Sequence, residues 1–162
     1  MRSRIVTVAL AGALAAACAH GGPAPAPAPA AAAPKDVVAA VRSVLEQWRQ
    51  AYEVRSEDAL AKLYAHDPAL VVVLEGTPLV GWPAVEAALK DRVARADEIH
   101  VRLTDVRVVD LAPTAAVVTA GLTREVKAGA TTVTERGTLT LALRKDADAW
   151  LIVAEHYSYK HV

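Results

Sequence analysis

"EIHVRLTDVRVVDL", residues 98–111, alternates apolar and polar side chains and then changes phase. Ile99, Val101 and Leu103 share one parity, whereas Val106 and Val108 share the other. Strict period two is the mark of a strand with one buried face. A phase slip inside one such strand is what a β-bulge produces, and bulges curve sheets. The segment therefore predicts a long, bent strand.

Downstream, the same period continues. "TAAVVTAGLTREVK" (114–127) and "TTVTERGTLTLALRK" (131–145) are joined by "AGA", and "DADA" (146–149) turns into "WLIVAEHYSY" (150–159). Upstream, the period is helical. Val37, Val41, Val44, Trp48 and Tyr52 recur at steps of four, three, four and four, with Val38 and Leu45 widening the stripe, which predicts an amphipathic helix over 35–55. "RSEDALAKLY" (55–64) restarts a helix with Ser56 as N-cap and Glu57 and Asp58 in its first turn, and "AHDP" (65–68) stops it. "ALVVVLEG" (69–76) reads as a short apolar strand and "TPLVGWP" (77–83) as a turn-rich connection. Pro83 opens a third helix whose buried face is Trp82, Val85, Leu89 and Val93. Helix, helix, short strand, helix and four long strands predict an α+β fold, three N-terminal helices packed on a curved antiparallel sheet.

Residues 1–17 have another purpose. Arg2 and Arg4 precede the apolar run "IVTVALAGALAAA", and small residues lead to Cys18, the layout of an export signal. "LAAAC" (14–18) resembles the lipobox of bacterial lipoproteins, in which the cysteine is lipidated with palmitate-type chains and becomes the first mature residue; Ala15 stands where leucine is usual. Ala15 and Ala17 also fit ordinary signal-peptidase cleavage. Cys18 is the only cysteine, so no internal disulfide forms, and lipidation gives an exported single thiol a role. Several acyl chains anchor a protein stably where one does not. Residues 18–34 are then a lipidated Cys and a Pro/Ala-rich linker, extended polyproline II that reaches about 35 Å from Pro23 to Pro34 at about 3.1 Å per residue. Residues 35–162 make one domain, large enough for a core without disulfides. Ala19 is not the aspartate that holds many lipoproteins at an inner membrane. The expected location is the bacterial cell envelope, lipid-anchored at the outer membrane and facing the periplasm.

Lys and Arg number 18 and Asp and Glu 18, and the chain has no basic run or nucleic-acid motif, so nucleic acid is not an expected partner. His100, His156 and His161 lack metal-ligand spacing, and neither a serine elbow nor a glycine-rich phosphate loop is present. No metal or other cofactor is expected.

The order of elements, with "DALAKLYAHDPALVV" (58–72), Gly81 before the third helix and the closing "WLIVAEHYS" (150–158), resembles the nuclear-transport-factor-2-like superfamily, and within it the SnoaL-like group. That resemblance implies a cone-shaped fold enclosing a pocket, and homodimers paired through the open sheet face. Val109, Val118, Leu122 and several threonines are expected on that face. Ketosteroid isomerases of this fold use an aspartate base, a tyrosine and a partner acid. A gapless comparison puts Val72 at the base position, Trp48 at the tyrosine position and Thr138 to Thr140 at the acid, so the isomerase mechanism is not expected. SnoaL-like cyclases depend on an acid/base residue, for which His156, Glu155 and His100 are the candidates.

Period two places Trp150, Ile152, Ala154, His156 and Ser158 on one strand face. If Trp150 and Ile152 face the helices, His156 and Ser158 line the interior. His156 then acts either as a structural or ligand-orienting group or as an acid/base catalyst. Trp48, Tyr52, Tyr64 and Trp82 are core residues by type, and also the aromatic groups that wall a pocket for a flat apolar ligand. The leading expectation is an envelope-anchored binder of a small, largely apolar molecule without strong catalysis. The alternatives are a cyclase- or isomerase-type enzyme using His156, and a protein-interaction module of the envelope.

Overall fold

The computed structural model describes residues 34–162, Glu75 excepted. The leader, Cys18 and the Pro/Ala-rich linker lie outside the described residues. Helix α1 (Pro34–Glu53) follows from its stripe: Val37, Val41, Val44, Leu45, Trp48 and Tyr52 are all buried against the sheet. Burial of each Val or Leu contributes about 1.5–3 kcal/mol, so the stripe rather than helix propensity holds α1 in place. Arg55 adopts φ +53° and ends the run, and its Nη1 donates to the Ala96 carbonyl at 2.6 Å.

Helix α2 (Glu57–Ala61) starts at Ser56, whose hydroxyl accepts from the Ala59 N–H at 3.1 Å. It is shorter than "RSEDALAKLY" predicts and ends before Tyr64. Residues 63–65 leave the helix and run along the sheet instead: Ile152 N–H donates to the Leu63 carbonyl at 2.8 Å, and Ala65 N–H to the Ile152 carbonyl at 2.9 Å. Strand β1 (Val71–Leu74) follows. Helix α3 (Trp82–Arg95) begins after Gly81, whose φ of +81° favours glycine, with Pro83 in its first turn. It buries Val85, Leu89 and Val93, while Trp82 is only half-buried.

Four long strands complete the fold: β3 (Glu98–Ala112), β4 (Ala115–Ala128), β5 (Thr131–Asp146) and β6 (Ala149–His161). The expected phase slip is a bulge between Thr104 and Arg107, with Asp105 at φ +52°. Ile99 and Val101 are buried on one side of it and Val106 and Val108 pack against the core on the other. The described residues form one compact unit, with a core running from Val37 to Tyr157.

Three expectations need correction. The sheet is mixed, not antiparallel throughout: β1 pairs parallel with β6, from which α3 and three long strands separate it along the chain. The connection at "TPLV" is itself a strand, β2 (Thr77–Val80), at the sheet edge, where Pro78 costs no ladder bond; the order is β2-β1-β6-β5-β4-β3. Val118 and Leu122 face the core, fully buried, because Ala116, Val118, Ala120, Leu122 and Arg124 share the inner parity of β4.

The fourth correction concerns the last strand. Ala142 pairs with Ala154 but Leu143 pairs with Ile152, so Val153 is an extra residue and β6 is bulged there. Trp150 and Ile152 face inward as expected. Beyond the bulge the parity inverts, and Glu155 and Tyr157 are buried while His156 and Ser158 are exposed on the outer face.

Candidate functional site

The inverted parity of β6 puts a carboxyl group inside the protein. Glu155 is 3% exposed and lies beside Val72 in the parallel β1–β6 register. The isomerase base position is apolar here, yet the neighbouring strand supplies a carboxyl at the same level. The bridge between Tyr64 and Ile152 brings the Tyr64 side chain to it. Trp48 Nε1 donates to Tyr64 Oη at 2.9 Å, and the Tyr64 hydroxyl donates to Glu155 Oε2 at 2.5 Å. Burial pushes the Glu155 carboxyl above its usual range, against the Tyr64 hydrogen bond and the charges of Arg92 and Arg124. Burial, with the Glu155 charge, raises the Tyr64 hydroxyl well above the usual tyrosine range.

Two arginines complete the cluster. Arg124 continues the inner parity of β4 and meets Glu135 directly across the β4–β5 register. Its Nε donates to Glu135 Oε2 at 2.8 Å, and Nη2 donates to the same oxygen. The guanidinium carbon lies 5.7 Å from the Tyr52 ring centre and 5.1 Å from that of Tyr157, within cation–π range of both. Arg92 follows Val85 by seven residues and Leu89 by three, so it shares the inner face of α3. Burial works against its charge, but Tyr52, Glu155, Glu135 and Tyr159 together raise its pKa. Burial pushes the Tyr157 hydroxyl up to about 12. Among the described residues, Tyr52 Oη, Arg92 Nη1 and Arg124 Nη1 are buried with no hydrogen-bond partner of good geometry, although Arg92 lies beside the Tyr52 hydroxyl.

A recess of about 430 Å3 opens between α3 and the ends of β4, β5 and β6. Ala88, Asp91, Arg92 and Arg95 form one wall; Arg124, Val126, Val133, Glu135 and Tyr159 form the other. Its size suits a small organic molecule.

The aromatic residues expected at a pocket are partly brought together. Trp48 and Tyr52 pack edge to face at 4.7 Å, fully buried, with Tyr64 hydrogen-bonded to Trp48. Trp82 stacks on His66 at 3.9 Å and lies 6.4 Å from the Tyr64 ring. None of the four lines the recess. His156 and Ser158 are on the opposite face of the sheet from it, and His100 and His161 are exposed. Arg92, Arg124 and Glu135 were missed by the sequence reading, although a charged residue on an otherwise apolar parity, as at Arg124, is a visible signal. Among the described residues, no three His, Cys, Asp or Glu side chains are grouped to hold a metal.

A curved mixed sheet with a polar cluster beneath α1 and α3 defines a nuclear-transport-factor-2-like fold. The chain belongs to the SnoaL-like domain family, which it matches over residues 41–161. Solved structures are similar at the level of fold. A candidate dehydratase of the nuclear-transport-factor-2-like family from Streptomyces avermitilis is 22% identical over 79% of this chain and 99% of its own, with a TM-score of 0.72. A superfamily protein from Salmonella enterica serovar Typhimurium is 15% identical over 78% and 93%, with a TM-score of 0.72. A hexachlorocyclohexane dehydrochlorinase from Novosphingobium barchaimii is 12% identical over 79% and 91%, with a TM-score of 0.66. No curated protein matches the sequence.

Proposed function

We propose that this protein is a lipoprotein of the bacterial envelope whose cone-shaped domain binds a small, largely apolar molecule in the recess between α3 and the sheet, without strong catalysis. The observation that carries the reading is the recess itself: apolar side chains of Ala88, Val126 and Val133 face it alongside two arginines that each keep a buried nitrogen without a well-aligned partner. Such nitrogens are rare in folded proteins and mark places where a bound molecule or water completes the structure. The lipobox-like "LAAAC" and the Pro/Ala-rich sequence after it support an anchor set apart from the domain. Incorporation of labelled palmitate that persists after Cys18→Ser would remove the lipoprotein part of the proposal.

Binding is tested with an uncharged fluorescent probe, N-phenyl-1-naphthylamine. Saturable uptake at one site per subunit is expected. Val133→Trp, which fills the recess from a half-open position, should abolish it. No uptake by the wild type, with capture of a defined envelope protein instead, would favour an interaction module.

A catalytic reading keeps one specific support. Glu155, with its raised pKa, is a buried acid on the strand next to Val72, the position that the isomerase comparison gives to the base. It replaces His156 as the residue on which an isomerase- or cyclase-type activity would rest. Turnover of a carbonyl substrate lost in Glu155→Gln but retained in His156→Ala would establish it.

A further inference from the structure

Resting on the binding reading above, we infer that the ligand of the recess is a small apolar carboxylic acid, its carboxylate received by Arg92 and Arg124 and its body laid against Val126, Val133 and Tyr159.

The first ground is hydrogen-bond accounting. Arg124 uses Nε and Nη2 on Glu135, and no acceptor of good geometry meets its Nη1; Arg92 Nη1 likewise lacks a well-aligned acceptor, with the Tyr52 hydroxyl beside that side chain, and both side chains border the same recess. A buried guanidinium N–H without an acceptor is costly, more so than a neutral donor. Arg124 is 1% exposed, so bulk water does not relieve it. Guanidinium groups offer donors only, so the missing partner is an acceptor, and a carboxylate supplies two acceptor oxygens in the geometry of the fork.

The second ground is charge. Three guanidinium groups line the recess (Arg92, Arg95 and Arg124) against two carboxylates, Asp91 and Glu135, which leaves an excess of one positive charge. Asp91 is engaged by Arg95 at 2.7 Å, and Glu135 by Arg124. A monoanion balances that excess; a dianion such as a phosphate monoester overshoots it. Behind the wall, Glu155 is directed toward Tyr64 and does not line the recess. The third ground is the wall itself. Val126, Val133 and Ala88 offer no polar side chain, so the rest of the ligand is apolar.

Isothermal titration calorimetry of the whole protein tests this with octanoate and 4-phenylbutyrate, each set against its primary amide. The acids should bind about tenfold or more tightly than the amides, the scale of one charge-assisted hydrogen bond. Arg92→Gln should remove that preference, the acids falling to the affinity of the amides. Arg124→Gln strands Glu135 and is read only if circular dichroism shows it folded; Arg92→Gln carries the test without it. Acids and amides binding equally, or an acid preference that survives Arg92→Gln, would overturn the inference and leave the apolar binder intact. Binding of neither, together with no uptake of the uncharged probe, would instead remove the binding reading.

Discussion

Glu155 has a hydroxyl donor in Tyr64 and two arginines within electrostatic reach, yet burial prevails and its pKa is raised. The native state therefore holds this proton more tightly than the unfolded chain does. Stability from that difference is fully present below the unfolded glutamate pKa and is lost as pH rises through the folded one. Glu155→Gln keeps an acceptor for Tyr64 and removes the titration. Relative to this variant, the wild type should lose urea resistance as pH rises above the unfolded glutamate pKa of about 4; identical pH profiles would show that the carboxyl is ionised throughout. Tyr64 joins Trp48 Nε1 to Glu155 Oε2, and Trp48 also interacts with the Glu155 carboxyl directly. Tyr64→Phe removes both hydrogen bonds of the hydroxyl, and each is worth about 0.5–1.5 kcal/mol net. A fall in unfolding free energy of at least about 1 kcal/mol is expected in denaturant titration. Trp48 and Tyr52 were legible from the stripe of α1 as inward-facing; that they are packed core rather than pocket wall was not, because a helical period shows which face is buried and not what it touches.

At the scale of elements, the contrast between β3 and β6 shows what alternation can reveal. In β3 the polar residues Arg102, Thr104 and Arg107 alternate with apolar ones, so a slip at Asp105 is visible as a change of parity. In β6 the segment "WLIVA" is apolar at every position, and an extra residue at Val153 leaves no mark. Every residue after it, His156 and Ser158 included, was consequently assigned to the wrong face. Strand β2 was hidden by Pro78, which reads as a turn but is tolerated at an edge. The pairing of β5 with β6 depends on Gly137, where an added Cβ would overlap the Ser158 carbonyl. Gly137→Ala should therefore push β6 off β5 next to Tyr159, at the recess. A lowered melting temperature and weakened probe binding are expected together; a variant unchanged in both would show that the strands yield there freely.

For the whole molecule, the outer sheet face bears on assembly. Val109 and Leu111 are 54% and 63% exposed, and Val117, Thr119, Thr123 and Thr140 continue the face with short side chains. Val118 and Leu122, expected there, belong to the core, but the face that remains is still weakly polar and suits burial against a second copy. Sedimentation equilibrium should find a dimer, converted to monomer by Val109→Glu with the fold retained. A wild-type monomer at high micromolar concentration would contradict this. Such a dimer would leave the recess on the opposite face of the sheet open, so assembly and binding would be separable.

Occupancy of that recess is the central claim, and native mass spectrometry of the purified protein addresses it most directly because it reports bound mass and subunit number together. The predicted spectrum shows each subunit carrying one small organic molecule, either retained through purification or acquired on incubation with 4-phenylbutyrate, and losing it in Val133→Trp. Bare subunits under every condition, from a protein that is otherwise folded, would contradict the claim.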